Sequence, residues 1–240
     1  MGLNTMVSST VHHRVVPPLG VVHLLEGETD FRRLATQWAA SLGHQALVHD
    51  SVDSFLNIAD DSRPSCLVLD LQVGQESGLE LQARLKRENR LAPVIFVATK
   101  ADVRSAVIAM EQGAVTVLER PCSREHFVEA VSEGISRDTM VRRLSRRKEE
   151  LNRRFQDLSE RERLVMQLVV DGRLNKAIAR ELKMTERTVE RVRAVVLDKV
   201  GAECAVQMAS LLTEHRLLGE LLCEVCPAHN FVQGDFAVVT

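Results

Sequence analysis

Cys66-Leu67-Val68-Leu69-Asp70-Leu71 is a short apolar run that contains a single carboxylate, and Ser77-Gly78-Leu79-Glu80-Leu81 opens an amphipathic stretch a few residues later. A run of this length bounded by polar residues reads as a strand, and a strand apolar at every position is covered on both faces, as in a parallel sheet. Working outward, the same alternation recurs. Apolar runs at Val21 to Leu25, Ala46 to Val48, Cys66 to Leu69, Val94 to Val97 and Val115 to Leu118 alternate with Asp30 to Leu42, Val52 to Ala59, Gly78 to Arg87 and Val103 to Gln112. Within these longer stretches apolar residues fall at helical spacing, as Phe55, Leu56 and Ala59 do. Repeated β-α units predict an α/β domain with a doubly wound, five-stranded parallel sheet. In such sheets sites form beyond the carboxyl ends of the strands, which brings Glu26, Asp70, Ala98 and Arg120 to one edge.

Composition narrows the function. The 240 residues carry 31 Lys+Arg against 33 Asp+Glu, with 45% hydrophobic residues, enough apolar material for sizeable cores. Aromatic residues make up only 3% and Tyr is absent, which argues against a protein that stacks single-stranded bases on aromatic platforms. No apolar run approaches membrane-spanning length, and no charged segment followed by an apolar one marks the N-terminus, so a cytoplasmic protein is expected, with no membrane partner. Met1-Gly2 starts a myristoylation pattern, but Met6 stands where Ser or Thr is needed. Five cysteines, with Cys66, Cys122 and Cys204 in apolar surroundings, read as reduced, buried thiols.

Charge is unevenly distributed. Residues 1–136 carry 12 basic and 17 acidic side chains, residues 137–199 carry 18 and 11, and residues 200–240 carry 1 and 5. A basic middle between acidic ends is the electrostatic footprint of a nucleic-acid-binding segment, or else a solvated helix face. Residues 136–156 read as a polar linker helix rich in Arg, with Met140, Val141, Leu144, Leu151 and Phe155 forming a broken apolar stripe. It is either a short dimeric coiled coil or a solvated spacer. Beyond it, Ser159 and Glu162 have capping-box spacing at the start of a helix that runs to about Asp171-Gly172. A short helix from Asn175 to Leu182, a turn at Lys183-Met184-Thr185 with Thr185 as N-cap, and a third helix from Glu186 to Val200 follow. Val189, Val192, Val196 and Val200 share one face of that third helix, and its Arg-rich remainder fits a helix-turn-helix whose second helix enters the major groove.

Residues 20–135 resemble a response-regulator receiver domain. The resemblance rests on Val22-His23-Leu24-Leu25-Glu26, Leu67-Val68-Leu69-Asp70-Leu71, Ser77-Gly78-Leu79-Glu80-Leu81, Pro93-Val94-Ile95-Phe96, Ala106 to Gly113-Ala114 and Leu118-Glu119-Arg120-Pro121. It implies a flavodoxin-like sheet and makes Asp70 the candidate phospho-acceptor. The family pattern has two adjacent acids after the first strand, a hydroxyl after the fourth, a lysine after the fifth and a switch aromatic. Here those positions hold Glu26 and Gly27, Ala98 with Thr99 displaced by one, Arg120, and Val117. Mg²⁺ binding is therefore weakened by Gly27, and no other cofactor is expected. Arg120 is expected to fork onto Asp70 or Glu26, since a guanidinium matches carboxylates where lysine is a point charge.

Leu158-Ser159-Glu160-Arg161-Glu162-Arg163, Val169-Val170-Asp171-Gly172, Asn175-Lys176-Ala177-Ile178-Ala179, Arg187-Thr188-Val189-Glu190 and Lys199-Val200 resemble the LuxR-type DNA-binding domain, in particular that of FixJ/NarL-type regulators. By position, Glu190, Arg191 and Ala194 correspond to base-reading residues. Lys176, Arg187, Thr188, Arg193 and Lys199 are candidates for phosphate contact, while Arg180, Glu181 and Lys183 face water. Val192 and Arg191 depart from the family's usual His and apolar residue. The resemblance also implies pairing of two subunits through the last helix, about Ala205 to Leu212, with Val206, Met208, Ala209 and Leu212 as contacts; the receiver and the linker helix are the other dimer surfaces.

The domains expected are thus an arm at 1–18, a receiver-like domain at 19–135, the linker at 136–156, the DNA-binding domain at 157–214 and a tail at 215–240. In the tail Cys223, Cys226 and His229 offer soft ligands without a clear fourth, so a metal site is not expected. The function implied is a sequence-specific transcriptional regulator acting on double-stranded DNA, with an atypical receiver not controlled by standard aspartyl phosphorylation. The alternatives are a conventional regulator phosphorylated on Asp70 by a sensor kinase, and an adaptor that does not bind DNA. No P-loop, dinucleotide turn or H-E-x-x-H pattern points to an enzyme.

Overall fold

The structure, a computed structural model, describes residues 19–58, 62–74, 76–88, 92–100 and 102–225. The expected arm at 1–18, and Cys226 and His229, lie outside the described residues. The described residues form two compact units, the first drawn from residues 19–81 and 92–136 and the second from 82–88 and 137–225.

In the first unit, strands β1 (Val21–Leu25), β2 (Gln45–His49) and β3 (Ser65–Asp70) are followed by a small antiparallel hairpin of β4 (Gln72–Val73) and β5 (Glu76–Ser77), then by β6 (Val94–Ala98) and β7 (Thr116–Glu119). The sheet order is β2-β1-β3-β6-β7, parallel throughout. Helices α1 (Thr29–Ser41), α2 (Val52–Ile58), α3 (Gly78–Arg87), α4 (Val103–Glu111) and α5 (Arg124–Gln156) alternate with the strands, residues 82–87 of α3 and 137–156 of α5 being counted with the second unit. The continuous apolar runs of β1, β3 and β6 are explained by burial on both faces. Val22, Leu24, Val68, Ile95 and Val97 pack against Phe31, Ala35 and Ala39 of α1 and Phe127, Val131 and Ile135 of α5. Alternation along a strand sends the next residues to the opposite face, where Phe55 of α2 meets the rings of His23 and His49. Each fully buried aromatic or aliphatic side chain contributes about 1.5–3 kcal/mol, so Phe127, with no exposed surface, is one of the first unit's larger anchors.

Strand register sets the upper edge. Leu25 pairs with Leu69, Asp70 with Val97 and Ala98 with Glu119, so Glu26, Asp70, Ala98 and Arg120 leave the sheet side by side. Gly78 permits the chain to fold back here: a Cβ on it would lie 2.2 Å from the main-chain oxygen of Asp70. Any side chain would push apart the strand end that carries Asp70.

The second unit contains the last turns of α5 with α6 (Glu160–Val170), α7 (Asn175–Glu181), α8 (Glu186–Val200) and α9 (Ala205–Val225). The capping box forms: Ser159 Oγ accepts from the Glu162 N–H at 3.3 Å and Glu162 Oε2 accepts from the Ser159 N–H at 2.7 Å. Leu151, Phe155, Val165, Met166, Ile178, Val189, Val196, Val200 and Met208 build one core. Gly201, at φ 67°, ends α8 in the left-handed conformation that glycine adopts without steric cost.

Three expectations change. The linker is not a solvated spacer: Leu151 and Phe155 are buried in the core of this unit, Val141 packs with Leu222, and Met140 alone of the stripe stays well exposed, at 59%. The tail does not begin at residue 215, because α9 continues to Val225 and buries Leu218 and Leu222. Arg147 anchors this extension by donating to both carboxylate oxygens of Glu214, at 2.7 and 2.9 Å, and Phe155 meets the His215 ring edge-on at 5.3 Å. Finally, Cys204 is exposed rather than buried, since it sits in the loop that starts α9; Cys66 is buried and Cys122 half-buried.

Candidate functional site

Four sheet-edge residues meet around one guanidinium. Arg120 Nη2 donates to Asp70 Oδ2 at 3.0 Å and makes a very short bond to Glu26 Oε2. Its Nη1 donates to Glu28 Oε2 at 3.2 Å and Thr99 Oγ1 at 3.3 Å. The guanidinium also lies over the Phe31 ring, 5.2 Å from its centroid. Lysine would supply one point charge here; the planar fork of arginine reaches three carboxylates and a hydroxyl at once. The other oxygen of Asp70 is taken too, accepting from the Gln72 N–H at 3.1 Å.

Burial sets the electrostatics. The Glu26 side chain has no exposed surface, and desolvation raises its carboxyl above the usual range, against the Glu28 N–H bond and the attraction of Arg120. For Arg120, desolvation alone would weaken the cation, but the bonds and charges of Asp70 and Glu26 outweigh it and hold the guanidinium firmly protonated. Gly27 contributes no side chain, and a Cβ there would meet nothing within 4 Å. Ala98 lines the edge without a donor, and Thr99 meets Arg120 from one residue further on.

The second cluster is open. On α8, Arg187, Glu190, Arg191 and Ala194 are exposed, as is Lys176 on α7. Residues 187, 191 and 194 share one side of a helix with 3.6 residues per turn, opposite the buried Val189, Val196 and Val200. The turn between α7 and α8 includes Lys183 at φ 52°, and Thr185 caps α8 by accepting from the Thr188 N–H at 3.2 Å. Three of the expected phosphate contacts are engaged within the domain. The hydroxyls of Thr188 and Thr185 lie 2.7 Å apart, Arg193 donates to Asn175 at 3.4 Å, and Lys199 donates to Glu162 at 2.8 and 3.0 Å and to the main-chain oxygen of Asp157 at 3.1 Å. Arg180, Glu181 and Lys183 are exposed, as expected. Val195, 40% exposed beside Ala194, joins the outward surface; its exposure follows from the same helical phase but was hidden among the other valines. On α9, Val206 is 79% exposed while Met208 is fully buried and Leu212 packs on the core, so two of the four expected pairing contacts point inward. Val206, Ala209, Ser210, Thr213, Leu217 and Leu221 line a shallow groove along this helix. Among the described residues no group of three or more His, Cys, Asp or Glu side chains is placed to hold a metal ion, and no helix is long and apolar enough to cross a membrane.

Residues 22–132 match the response regulator receiver domain and residues 156–212 the luxR family of bacterial regulatory proteins. Nodulation protein W of Bradyrhizobium diazoefficiens is 33% identical over 207 residues, covering 86% of this chain and 90% of that protein. Transcriptional regulatory protein FixJ of Rhizobium meliloti is 34% identical over 182 residues, covering 76% and 89%. The structure of response regulator StyR superposes with a TM-score of 0.76 at 26% identity, covering 82% of this chain and 99% of that one. The chain belongs to the response regulators that join a receiver domain to a LuxR-type helix-turn-helix, a family of DNA-binding transcriptional regulators.

Proposed function

We propose that this regulator binds double-stranded DNA as a homodimer and that its receiver is not switched by standard Mg²⁺-dependent phosphorylation of Asp70. The observation that carries this reading is the position of Arg120 Nη2, within hydrogen-bond reach of both Asp70 and Glu26. A carboxylate attacks a phosphoryl group through an oxygen left free to do so, beside a divalent cation that offsets the converging negative charge. Both oxygens of Asp70 already accept hydrogen bonds.

The Mg²⁺ used by the family does not fit these residues. The ion demands octahedral oxygen ligands at about 2.0–2.1 Å. Gly27 supplies no ligand, and the Glu26 and Asp70 oxygens converge instead on a guanidinium nitrogen. Arg120 thus provides a fixed positive charge and leaves the edge in one state.

For DNA, the exposed face of α8 supports Arg191 as a fork onto guanine, Glu190 as an acceptor from a cytosine amine and Ala194 as a close apolar contact. Arg187 and Lys176 suit phosphate contact, whereas Thr188, Arg193 and Lys199 must first loosen the partners they hold. The groove on α9 is the surface we assign to the second subunit. A DNA target places the protein's work in the cytoplasm.

Intact-mass measurement of the full chain with Mg²⁺ and acetyl phosphate, beside Asp70→Asn, tests the receiver reading. The expected result is no phosphoryl adduct from a protein that still binds DNA. An adduct on the wild type that vanishes in Asp70→Asn overturns it in favour of a conventional regulator served by a sensor kinase. One observation favours that second reading: Asp70 keeps 18% of its side chain exposed.

A further inference from the structure

His23 on β1 and His49 on β2 are 1% and 3% exposed, and neither belongs to the Arg120 cluster or to the DNA-binding face. His23 Nδ1 lies 2.9 Å from His49 Nε2. The ring centroids are 5.1 Å apart, and Phe55 sets its ring edge-on to both, at 5.2 and 5.3 Å. Two neutral imidazoles hold such a contact through one N–H donating to the lone pair of the other ring. One added proton makes an imidazolium that still donates across the same contact. Two added protons set N–H against N–H and break it. The contact therefore survives one added proton but not two, away from water and against an aromatic wall.

We propose that the His23–His49 pair is a proton-binding site through which acidification acts on the receiver domain. As an input it rests on the reading of the Asp70 site as closed to phosphoryl transfer; as a site it stands on its own geometry.

The charged groups around the pair define the route. Glu26 at the end of β1 and Asp70 at the end of β3 are both held by Arg120. On α2, Asp53 is exposed. His44, at the other end of β2, is buried and accepts the Gly20 N–H at 2.9 Å. Asp50, immediately after His49, is the acid whose charge acts on that ring, and Arg32 Nη1 holds it at 3.2 Å. Arg32 also donates through Nε to the main-chain oxygen of Glu26, at 3.1 Å. A charge on His49 draws on Asp50 and competes with Arg32, which transmits protonation to the loop of Glu26, Gly27 and Glu28. Burial holds His49 below the ordinary imidazole range, opposed by a hydrogen bond with the Ser54 backbone and by the charge of Asp50. The unfolded chain, with histidines near about 6.5, binds protons first, and stability falls as pH drops through that value.

The test is an NMR titration of the histidine rings and the Gly27 amide in the full chain between pH 8 and 5, with melting curves of wild type and His49→Gln. The glutamine amide keeps a hydrogen bond to His23 but takes no proton in this range. The expected result is one shared inflection below about 6.5 for both rings, followed by the Gly27 amide, and a melting temperature that falls about 4 °C further on acidification in wild type than in the variant. Independent titration of the two rings, an unmoved Gly27 amide, or the same acid sensitivity in both proteins overturns the proposal. Should His49→Gln fail to fold, the wild-type titration decides alone. No phosphodonor is involved, so an Asp70 adduct would remove the closed-site reading and leave this result intact.

Discussion

Arg120 and Arg191 are the same residue type put to opposite uses. Arg120, 10% exposed, is closed in on by three carboxylates and a hydroxyl, and its charge is satisfied within the chain. Arg191 stands exposed on α8, on the side away from the domain core. The difference shows that the basic character of a stretch does not by itself locate a binding surface. What matters is whether the fold has already supplied the counter-charge. Lys199 marks the intermediate case, on the recognition helix yet tied to Glu162.

The largest effect should come from opening the closed side. Arg120→Ala leaves Glu26 buried and uncompensated and should destabilise the receiver by about 3 kcal/mol. Because Glu26 already holds its proton more tightly than an ordinary carboxyl, the deficit relative to wild type should narrow as pH falls from 7 toward 5; urea unfolding at the two pH values checks this. On the open side, Arg191→Ala should cost about 1–3 kcal/mol of specific DNA binding with no change in melting temperature, read by titration on a promoter fragment. Arg187→Ala should weaken binding across sequences and lower the slope of log affinity against log salt by about 0.9. The smallest effect belongs to Lys199→Ala. It should leave that slope unchanged and cost under about 1 kcal/mol of stability. The Lys199 bond and the Ser159 N–H lower the Glu162 pKa, so this contribution is fully present above the ordinary carboxylate value and is lost as pH falls below it through the depressed one. If Lys199→Ala instead reduced the salt slope as Arg187→Ala does, the ion pair would be one that DNA displaces.

The centre of the sheet could be read in the sequence because β1, β3 and β6 are apolar at nearly every position, a pattern that two-sided burial explains. The edge residues could be read because strand ends follow from strand positions. Arg120 was expected on Asp70 or Glu26, and it reaches both, together with Glu28 and Thr99, because loop backbone sets the second and third partners and has no periodicity to read. The β4–β5 hairpin, two residues a side, is too short to leave a pattern. The partner of Lys199 lies 37 residues away in α6 and is fixed only by packing. The end of α9 was missed although Leu218 and Leu222 stand at helical spacing, because the stretch lies beyond where the resemblance ends.

The helix that continues past residue 212 alters what counts as a transferable part. The luxR-family match stops at that residue, yet Leu218 belongs to the core that contains Phe155, and Glu214 fixes Arg147. Grafted at the family boundaries onto another protein, the helix-turn-helix would arrive without Leu151, Phe155 and Leu218, and the core they cover would become a raw apolar flank prone to self-association. The folding unit here includes the linker before it and the helix behind it.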